Sequence, residues 1–234
     1  MKEKIYTIPL NEAYETNSQC PFCYLEEKLE KEALDYTLGA AMMEPDFRIA
    51  SNEKGFCKNH YSMLFSKQNK LSLALILESH LMELTNEFEA LLKNPKKNDK
   101  ISKWFLKNRC SCIVCDKINN TMERYIKVFF YMWSHDAEFK NKVINSKGFC
   151  LNHFEMIYNN AFKHLKKKDA IEFLKILYEK EKDELCNIQQ DIHKFTLKFD
   201  YRNKDMQWGS FIDAPKRTIE KISGYLPSDK QNEA

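Results

Sequence analysis

Apolar residues recur every three or four positions along most of the chain, which is the spacing of helices that bury one face. After the first C-x-x-C motif they are Leu25, Leu29, Ala33, Tyr36, Ala40 and Met43, and after the second they are Ile118, Met122, Tyr125, Phe129 and Met132. Two further stripes are Leu73, Leu77, Leu81, Leu84, Phe88 and Leu91, and Ile171, Leu174, Tyr178, Leu185, Ile188, Ile192, Phe195 and Phe199. Glu181 interrupts the last stripe, so we predict an all-α bundle rather than a strict coiled coil.

The chain contains an internal repeat. Residues 54–63 read KGFCKNHYSM and residues 147–156 read KGFCLNHFEM, with seven of ten positions identical. The earlier motif Cys20-Pro-Phe-Cys23 returns as Cys112-Ile-Val-Cys115. Because such repeats are single structural units that stack on one another, we predict two tandem helical repeats in a pseudo-symmetric bundle. The predicted domains are residues 1–94 and 104–199, with a basic linker at 95–103.

Residues 200–234 differ in character and predict a loop followed by a short helix. Asp213 and Pro215 are a typical N-cap and first-turn residue ahead of Ile219 and Ile222, and Gly224 is a typical residue to end the helix. The preceding segment, which contains Trp208, is expected to be an ordered loop packed on the bundle.

Composition agrees with a globular helical protein, since 43% of the residues are hydrophobic and the chain has only 5 glycines and 6 prolines. The 37 basic and 34 acidic side chains nearly balance, so net charge gives no drive toward nucleic acid or anionic membranes. No signal peptide is visible, and the longest apolar run, Leu71 to Leu77, is far below the ~18 residues that suggest a membrane span. We expect a cytoplasmic protein.

In a reducing compartment, the eight cysteines are expected to serve metal binding or thiol chemistry rather than disulfides. Each repeat has a C-x-x-C motif followed, after 33 or 34 intervening residues, by a C-x-x-H motif. Three thiolates and one imidazole complete a tetrahedral shell, so two structural zinc ions are predicted. The predicted ligands are Cys20, Cys23, Cys57 and His60 in the first repeat, and Cys112, Cys115, Cys150 and His153 in the second.

Chain length allows the two motifs of one repeat to meet. A helix from Cys23 to Met43 spans ~31 Å, whereas residues 44–56 reach at most ~43 Å when extended. Gly55 suits the end of a short helix near Asp46 to Asn52, after which Cys57 opens the next helix. We therefore expect both ligand pairs of a repeat at helix N-termini around one ion, where the helix dipoles stabilise three thiolates.

The remaining cysteines and histidines receive structural interpretations. Cys110 could replace a neighbouring ligand but has no counterpart in the first repeat, and Cys186 is expected to be a small buried apolar residue. His80 lies between Leu77 and Leu84 on an apolar face and is interpreted as a core histidine. The other histidines without a partner in the repeat are His135, His164 and His193.

The duplicated C-P-x-C and G-F-C-x-x-H motifs, with Asp200-Tyr201-Arg202 and a downstream Trp208, resemble a bacterial family catalogued as a domain of unknown function. The resemblance covers nearly the whole chain and implies no established activity. Some members carry an automatic label of ABC-transporter substrate-binding protein, which fits poorly because no export signal or lipoprotein motif is visible. The second motif departs from the family pattern at Ile113, where the first has Pro21.

The closed ligand sets favour a non-enzymatic, zinc-stabilised protein that binds another macromolecule, most simply a protein partner, or acts as a scaffold. The alternative is a thiol redox protein, since a C-x-x-C at a helix start lowers a thiol pKa, or an iron–sulfur cluster held by the same ligands. Nucleic-acid binding through Lys93 to Lys103 and Lys166 to Lys168, near Trp104, is less favoured. No catalytic residue is predicted, and an enzymatic pocket, the partner and the oligomeric state remain open.

Overall fold

The structure is a computed structural model that describes residues 6–93, 98–203 and 205–225. These residues form α-helices joined by short turns, and no strand occurs among them. The predicted all-α class is therefore confirmed. The pseudo-symmetry between the two sequence repeats stays a prediction.

The described part of the chain contains eleven α-helices. The first six are α1 (Thr7–Glu15), α2 (Pro21–Leu38), α3 (Pro45–Lys54), α4 (Lys58–Ser66), α5 (Lys70–Leu92) and α6 (Asn98–Cys110). The others are α7 (Ile113–His135), α8 (Ala137–Asn145), α9 (Leu151–His164), α10 (Lys167–Leu197) and α11 (Ala214–Ser223), and short 3-10 helices span Ala40–Met43 and Tyr201–Asn203. None of the described helices combines the length and the apolar character needed to cross a lipid bilayer.

Helix boundaries follow the local signals in the sequence. α3 ends at Gly55, whose φ of 61° and N–H bond to Ser51 O terminate the helix before the C-x-x-H motif. α11 begins after Asp213 with Pro215 in its first turn, and it ends at Gly224. The short helices predicted at these two places are confirmed.

The apolar stripes predict the buried face of α7 better than that of α10. All five stripe residues of α7, from Ile118 to Met132, are buried. In α10, Leu174 and Ile188 are buried, but Ile171, Tyr178 and Leu185 are exposed. The assignment of these three to the core is wrong because the face of α10 that packs on neighbouring helices instead contains Ala170, Phe173, Leu174, Leu177, Glu181 and Ile188.

The chain forms two compact units, and each combines residues of both sequence repeats. The first unit consists of Met1–Glu27 with Met122–Ala234. Its α10 packs on α8, α9 and α11, and α1 packs on α8. The unit has an aromatic core of Phe22, Phe129, Phe130, Phe139, Phe149 and Phe173.

The second unit consists of Lys28–Thr121. Within it α5 packs on α3, α4 and the 3-10 helix Ala40–Met43. The division of the chain by repeat, at 1–94 and 104–199, stays a prediction about the duplication.

Parts of two predicted segments lie outside the described residues. Of the predicted linker at 95–103, residues 95–97 are not described, and residues 98–103 belong to α6. These residues begin a helix of 13 residues, and their role as a linker stays a prediction. Of the predicted C-terminal segment at 200–234, residues 204 and 226–234 are not described, and Trp208 packs against Phe195, Phe199 and Phe211.

Candidate metal centres

Both C-x-x-C motifs lie at the start of a helix. Cys20 directly precedes α2, and the Tyr24 N–H bonds to Cys20 O, so Cys23 lies in the first turn. Cys112 precedes α7 in the same way, with the Asp116 N–H bonded to Cys112 O. The two sulfur atoms of each motif are therefore held side by side at a helix N-terminus, where the helix dipole favours thiolates.

Both C-x-x-H motifs have the same geometry. Cys57 is the N-cap of α4 and Cys150 is the N-cap of α9, both with extended backbone angles. His60 and His153 follow in the first turn of their helices and are buried. Each motif thus offers one sulfur and one imidazole on the same side of a helix start.

The first centre gathers Cys20, Cys23, Cys150 and His153. His153 Nδ1 lies 3.5 Å from Cys20 Sγ, 3.3 Å from Cys23 Sγ and 3.2 Å from Cys150 Sγ. The sulfur atoms of Cys23 and Cys150 are 3.5 Å apart. All four residues are buried.

The second centre gathers Cys57, His60, Cys112 and Cys115. His60 Nδ1 lies 3.2 Å from Cys57 Sγ, 3.1 Å from Cys112 Sγ and 3.4 Å from Cys115 Sγ, and Cys57 Sγ lies 3.8 Å from Cys115 Sγ. His60 and Cys112 are buried, whereas Cys57 and Cys115 are partly exposed.

These distances fit a single tetrahedral ion. With bonds of about 2.3 Å to sulfur and about 2.0 Å to nitrogen, a zinc ion holds its ligand atoms roughly 3.5 to 3.8 Å apart. The ligand atoms of each quartet all lie within 4.8 Å of one another. Each quartet could therefore hold a metal ion with little movement of its side chains.

Both imidazoles also have a carboxylate behind them. His60 Nε2 lies 3.0 Å from Glu30 Oε1, and His153 Nε2 lies 3.6 Å from Glu26 Oε2. An N–H on Nε2 that faces a carboxylate leaves Nδ1 with a free lone pair, which is the tautomer a metal ligand needs. Both histidines thus present Nδ1 to the three thiols.

Contacts among the thiols and imidazoles of each centre shift their pKa values. The Cys23 thiol donates a hydrogen bond to Cys150, and its contacts with Cys150 and Cys20 raise its pKa far above the usual value. Contacts with Cys20 and Cys23 lower the pKa of Cys150. Although burial opposes it, Cys112 and Glu30 raise the pKa of His60 to about 10. Because neighbouring thiolates repel one another, the three thiols of a centre do not all ionise without a cation. A metal ion bound among them would stabilise all three as thiolates.

The C-terminal helix covers the first centre. A Cβ placed on Gly224, just after α11, would lie 3.7 Å from Cys23 Sγ and 4.0 Å from Cys150 Sγ. The preceding residue, Ser223, accepts a 3.1 Å hydrogen bond through its carbonyl oxygen from the Asn152 side chain. The end of α11 therefore lies directly over the Cys23 and Cys150 pair.

A buried ion pair anchors α11 to the C-x-x-H turn of the first centre. Lys221 is fully buried and pairs with Glu181 of α10, and it also donates a 3.2 Å hydrogen bond to Lys147 O. Glu181 accepts a 2.6 Å hydrogen bond from the Phe149 N–H. Gly148 has a φ of 80°, and a Cβ at this position would overlap the Glu181 carboxylate.

The equivalent turn of the second centre has a different neighbour. Gly55 faces His80, and a Cβ on Gly55 would lie 2.8 Å from His80 Nε2. His80 is buried, and its Nδ1 lies 2.8 Å from Asn52 O. The predicted core histidine thus packs on the turn that leads to Cys57.

The eight predicted ligands come together, but not in the expected quartets. Each centre combines the C-x-x-C of one repeat with the C-x-x-H of the other, so the pairing within a repeat is wrong. The reason is helix length. At 1.5 Å per residue the 10 residues of α3 span only ~15 Å, far less than they would when extended. The reach calculated for an extended chain does not apply to this helical segment.

Cys110 and Cys186 lie outside both quartets and are exposed. The expected burial of Cys186 is therefore wrong, since it follows Leu185 on the outer face of α10. His135 Nδ1 lies 2.8 Å from Tyr131 O, and His164 stacks on Phe130.

Sequence reasoning missed four residues around the centres. Glu26 and Glu30 follow Cys23 at helical spacings of three and seven, a signal that was available. In the sequence Glu181 is only an interruption of an apolar stripe, and Lys221 is an ordinary charged residue within the predicted C-terminal helix. No local pattern reveals that these two residues form a buried pair.

Comparison with known proteins gives a family and no activity. No curated protein and no solved structure matches the chain. One family model, described as a family of unknown function, matches residues 1–229, which is nearly the full length. The chain therefore belongs to this family of unknown function, DUF6062.

Proposed function

We propose that this protein is a helical binding or scaffold module for a protein partner, stabilised by two structural zinc ions. The observation that carries the zinc proposal is the pair of Cys₃His quartets, each with its imidazole backed by a carboxylate. A tetrahedral shell of four protein ligands leaves no position for substrate, which favours a structural role over a catalytic one.

The donor atoms favour zinc over an iron–sulfur cluster. Thiolate and imidazole ligands suit zinc, although they do not by themselves exclude iron. The ligand atoms of each centre all lie within 4.8 Å of one another, which leaves room for one ion. A multi-iron cluster would have to push these atoms apart, so the geometry supports a mononuclear site.

Elemental analysis of protein purified without oxygen and without added metal tests the metal proposal. We expect two zinc atoms per chain and two titratable thiols, because only Cys110 and Cys186 lie outside the quartets. The matched control is Cys186→Ser, which should keep both zinc atoms and lose one titratable thiol. A brown protein that contains iron, or a protein with no bound metal and eight free thiols, would contradict the proposal.

Removal of the ions should loosen the ends of helices rather than unfold the chain. A chain of this length buries about 70 to 75% of its unfolded surface, so the apolar core is sufficient to retain most helices. With a chelator we expect far-ultraviolet circular dichroism to fall slightly and hydrogen exchange to increase at the starts of α2, α4, α7 and α9. Complete loss of the helical signal would contradict a purely local role for the ions.

The proposed partner surface is an exposed apolar face of α9 and α10. Phe162 and Tyr178 are each 52% exposed, and Tyr178 packs edge-to-face on Phe154. The same face includes Leu151, Tyr158, Ile171 and Leu185, all of them exposed. Large aromatic residues grouped on a surface are typical of protein interfaces.

Site-specific photo-crosslinking tests this surface. A photoreactive residue at position 178, introduced into the protein in its native cell, should give a discrete crosslinked band. The matched control is the exposed residue Asp183, on the opposite face of α10, which should give none. Equal crosslinking at both positions, or none at either, would contradict a partner on this face.

Thiol redox chemistry is the second candidate function. The partial exposure of Cys57 and Cys115 favours it at the second centre. The four ligands of the first centre are buried, and this favours a structural role there.

A further inference from the structure

The two centres contain equivalent pairs of sulfur atoms with different access to solvent. In each pair one cysteine is the helix N-cap that begins C-x-x-H, and the other is the second cysteine of C-x-x-C. Cys150 and Cys23 are 0% and 6% exposed, and their sulfur atoms are 3.5 Å apart. Cys57 and Cys115 are partly exposed, with their sulfur atoms 3.8 Å apart. The two pairs therefore differ in exposure to solvent, although their sulfur–sulfur distances are nearly the same.

The end of α11 covers the first of these two pairs. Its last residues lie over the Cys23 and Cys150 sulfur atoms, and the Ser223 carbonyl is tied to Asn152. The buried pair of Lys221 and Glu181 holds the helix in place. At the second centre Cys57 and Cys115 are partly exposed.

We propose that Cys57 and Cys115 are a modification site at which a peroxide forms a disulfide and releases the ion of the second centre. This inference rests on the proposed zinc occupancy, which keeps both sulfurs as thiolates. Cys23 and Cys150 form the shielded counterpart and keep their ion. The protein thereby has one permanent and one oxidant-sensitive centre.

The reaction balances with hydrogen peroxide as oxidant. One thiolate attacks a peroxide oxygen, the O–O bond breaks, and the products are a sulfenic acid and, after protonation, water. The second thiolate then attacks the sulfenic sulfur, forms the S–S bond and displaces hydroxide, which takes up a proton as water. In total, two thiolates, one H₂O₂ and two protons give one disulfide and two waters.

Loss of the ion follows from the ligand count. Once the disulfide has formed, only His60 and Cys112 remain as ligands of the second centre, and two ligands in place of four hold zinc weakly. The sulfurs must move from 3.8 Å to about 2.05 Å apart, the length of a disulfide bond. The new bond links the start of α4 to α7, as the ion did before. A thiol reductant reverses the reaction and restores the site.

The test is treatment of the full-length zinc-loaded protein with hydrogen peroxide in the presence of a colorimetric zinc indicator. We expect one zinc equivalent to be released at least about tenfold faster than the other, because oxidation follows thiolate exposure. Peptide mapping by mass spectrometry should find Cys57 linked to Cys115, and Cys23 and Cys150 unmodified. Added dithiothreitol should restore binding of one zinc equivalent.

The controls separate this inference from the zinc proposal. Cys110→Ser should release zinc at the same rate, because Cys110 lies outside the quartet. Equal release from both centres, no release, or a disulfide that includes Cys110 would overturn the inference. If the purified protein contains no zinc, the zinc proposal fails, and the peptide map of the same treated protein still decides the order in which the pairs react.

Discussion

The two candidate centres share ligand types, helix positions and a KGFC turn, yet the residues that support each turn differ. In the first unit, the turn at Gly148 packs on Glu181, which is paired with the buried Lys221. In the second unit, the turn at Gly55 packs on the imidazole of His80. The same local sequence therefore packs on an ion pair in one unit and on an imidazole in the other. Local motifs define the ligands, and tertiary neighbours define how firmly they are held.

The largest expected effect tests which motifs share an ion. Cys20→Ser with Cys150→Ser removes two ligands of one centre, so one zinc should remain. Cys20→Ser with Cys57→Ser removes one ligand from each centre and should leave no tightly bound zinc. Structural zinc is bound with about 10 to 16 kcal/mol, so loss of a ligand is readily measured by elemental analysis. The opposite result for the two double variants would restore the pairing within each repeat.

The sequence predicts a good part of this arrangement. Periodicity identified the helical class, and the positions of Asp213, Pro215 and Gly224 located the two ends of α11. Spacing identified all eight residues of the quartets. These features depend on neighbours close in the chain, and such neighbours are visible in one sequence.

The remaining features depend on contacts between distant residues. The pairing of motifs depends on the short span of α3, and this span requires known helix boundaries. Glu181 and Lys221 are 40 positions apart, and each alone is an ordinary charged residue of a helix. Pairing within a repeat and pairing between repeats both give three cysteines and one histidine. Motif spacing therefore cannot distinguish the two.

The next largest effect is expected for the ion pair that exists only in the first unit. Lys221→Ala leaves the buried Glu181 carboxylate without its cation, which typically costs about 3 to 5 kcal/mol. Burial already raises the pKa of Glu181, and removal of Lys221 should raise it further. The loss in free energy of unfolding caused by Lys221→Ala should therefore become smaller as pH falls, since a neutral carboxyl needs no cation. Urea unfolding at pH 8 and at pH 5 measures both effects.

The control for this variant is on the same helix. Lys216 has a side chain that is 67% exposed and makes only a 3.8 Å contact with Glu220. Lys216→Ala should change the free energy of unfolding by no more than about 0.5 kcal/mol. Similar values for Lys216→Ala and Lys221→Ala would show that the buried pair contributes little.

The two turn glycines provide a matched comparison between the units. Both have positive φ, at 80° for Gly148 and 61° for Gly55, and alanine there costs about 1 to 3 kcal/mol from backbone strain. Gly148→Ala should cost more than Gly55→Ala because its Cβ overlaps a carboxylate that cannot leave Lys221 and the Phe149 N–H. Thermal unfolding of both variants measures the difference. A larger cost at Gly55 would indicate that His80 is the more rigid neighbour.

The smallest expected effect concerns the carboxylates behind the imidazoles. Loss of such a partner typically lowers metal affinity 10- to 100-fold. Glu30→Gln should lower the metal affinity by about 100-fold. The reason is that Glu30 lies 3.0 Å from His60 Nε2 and its side chain is only 15% exposed. Glu26→Gln should have the smaller effect, because Glu26 lies 3.6 Å from His153 Nε2 and is 37% exposed. Competition with a chromophoric chelator measures both affinities, and since glutamine keeps an oxygen acceptor, each variant isolates the loss of charge. Equal losses of affinity would mean that exposure of the carboxylate to solvent does not weaken its contact with the imidazole.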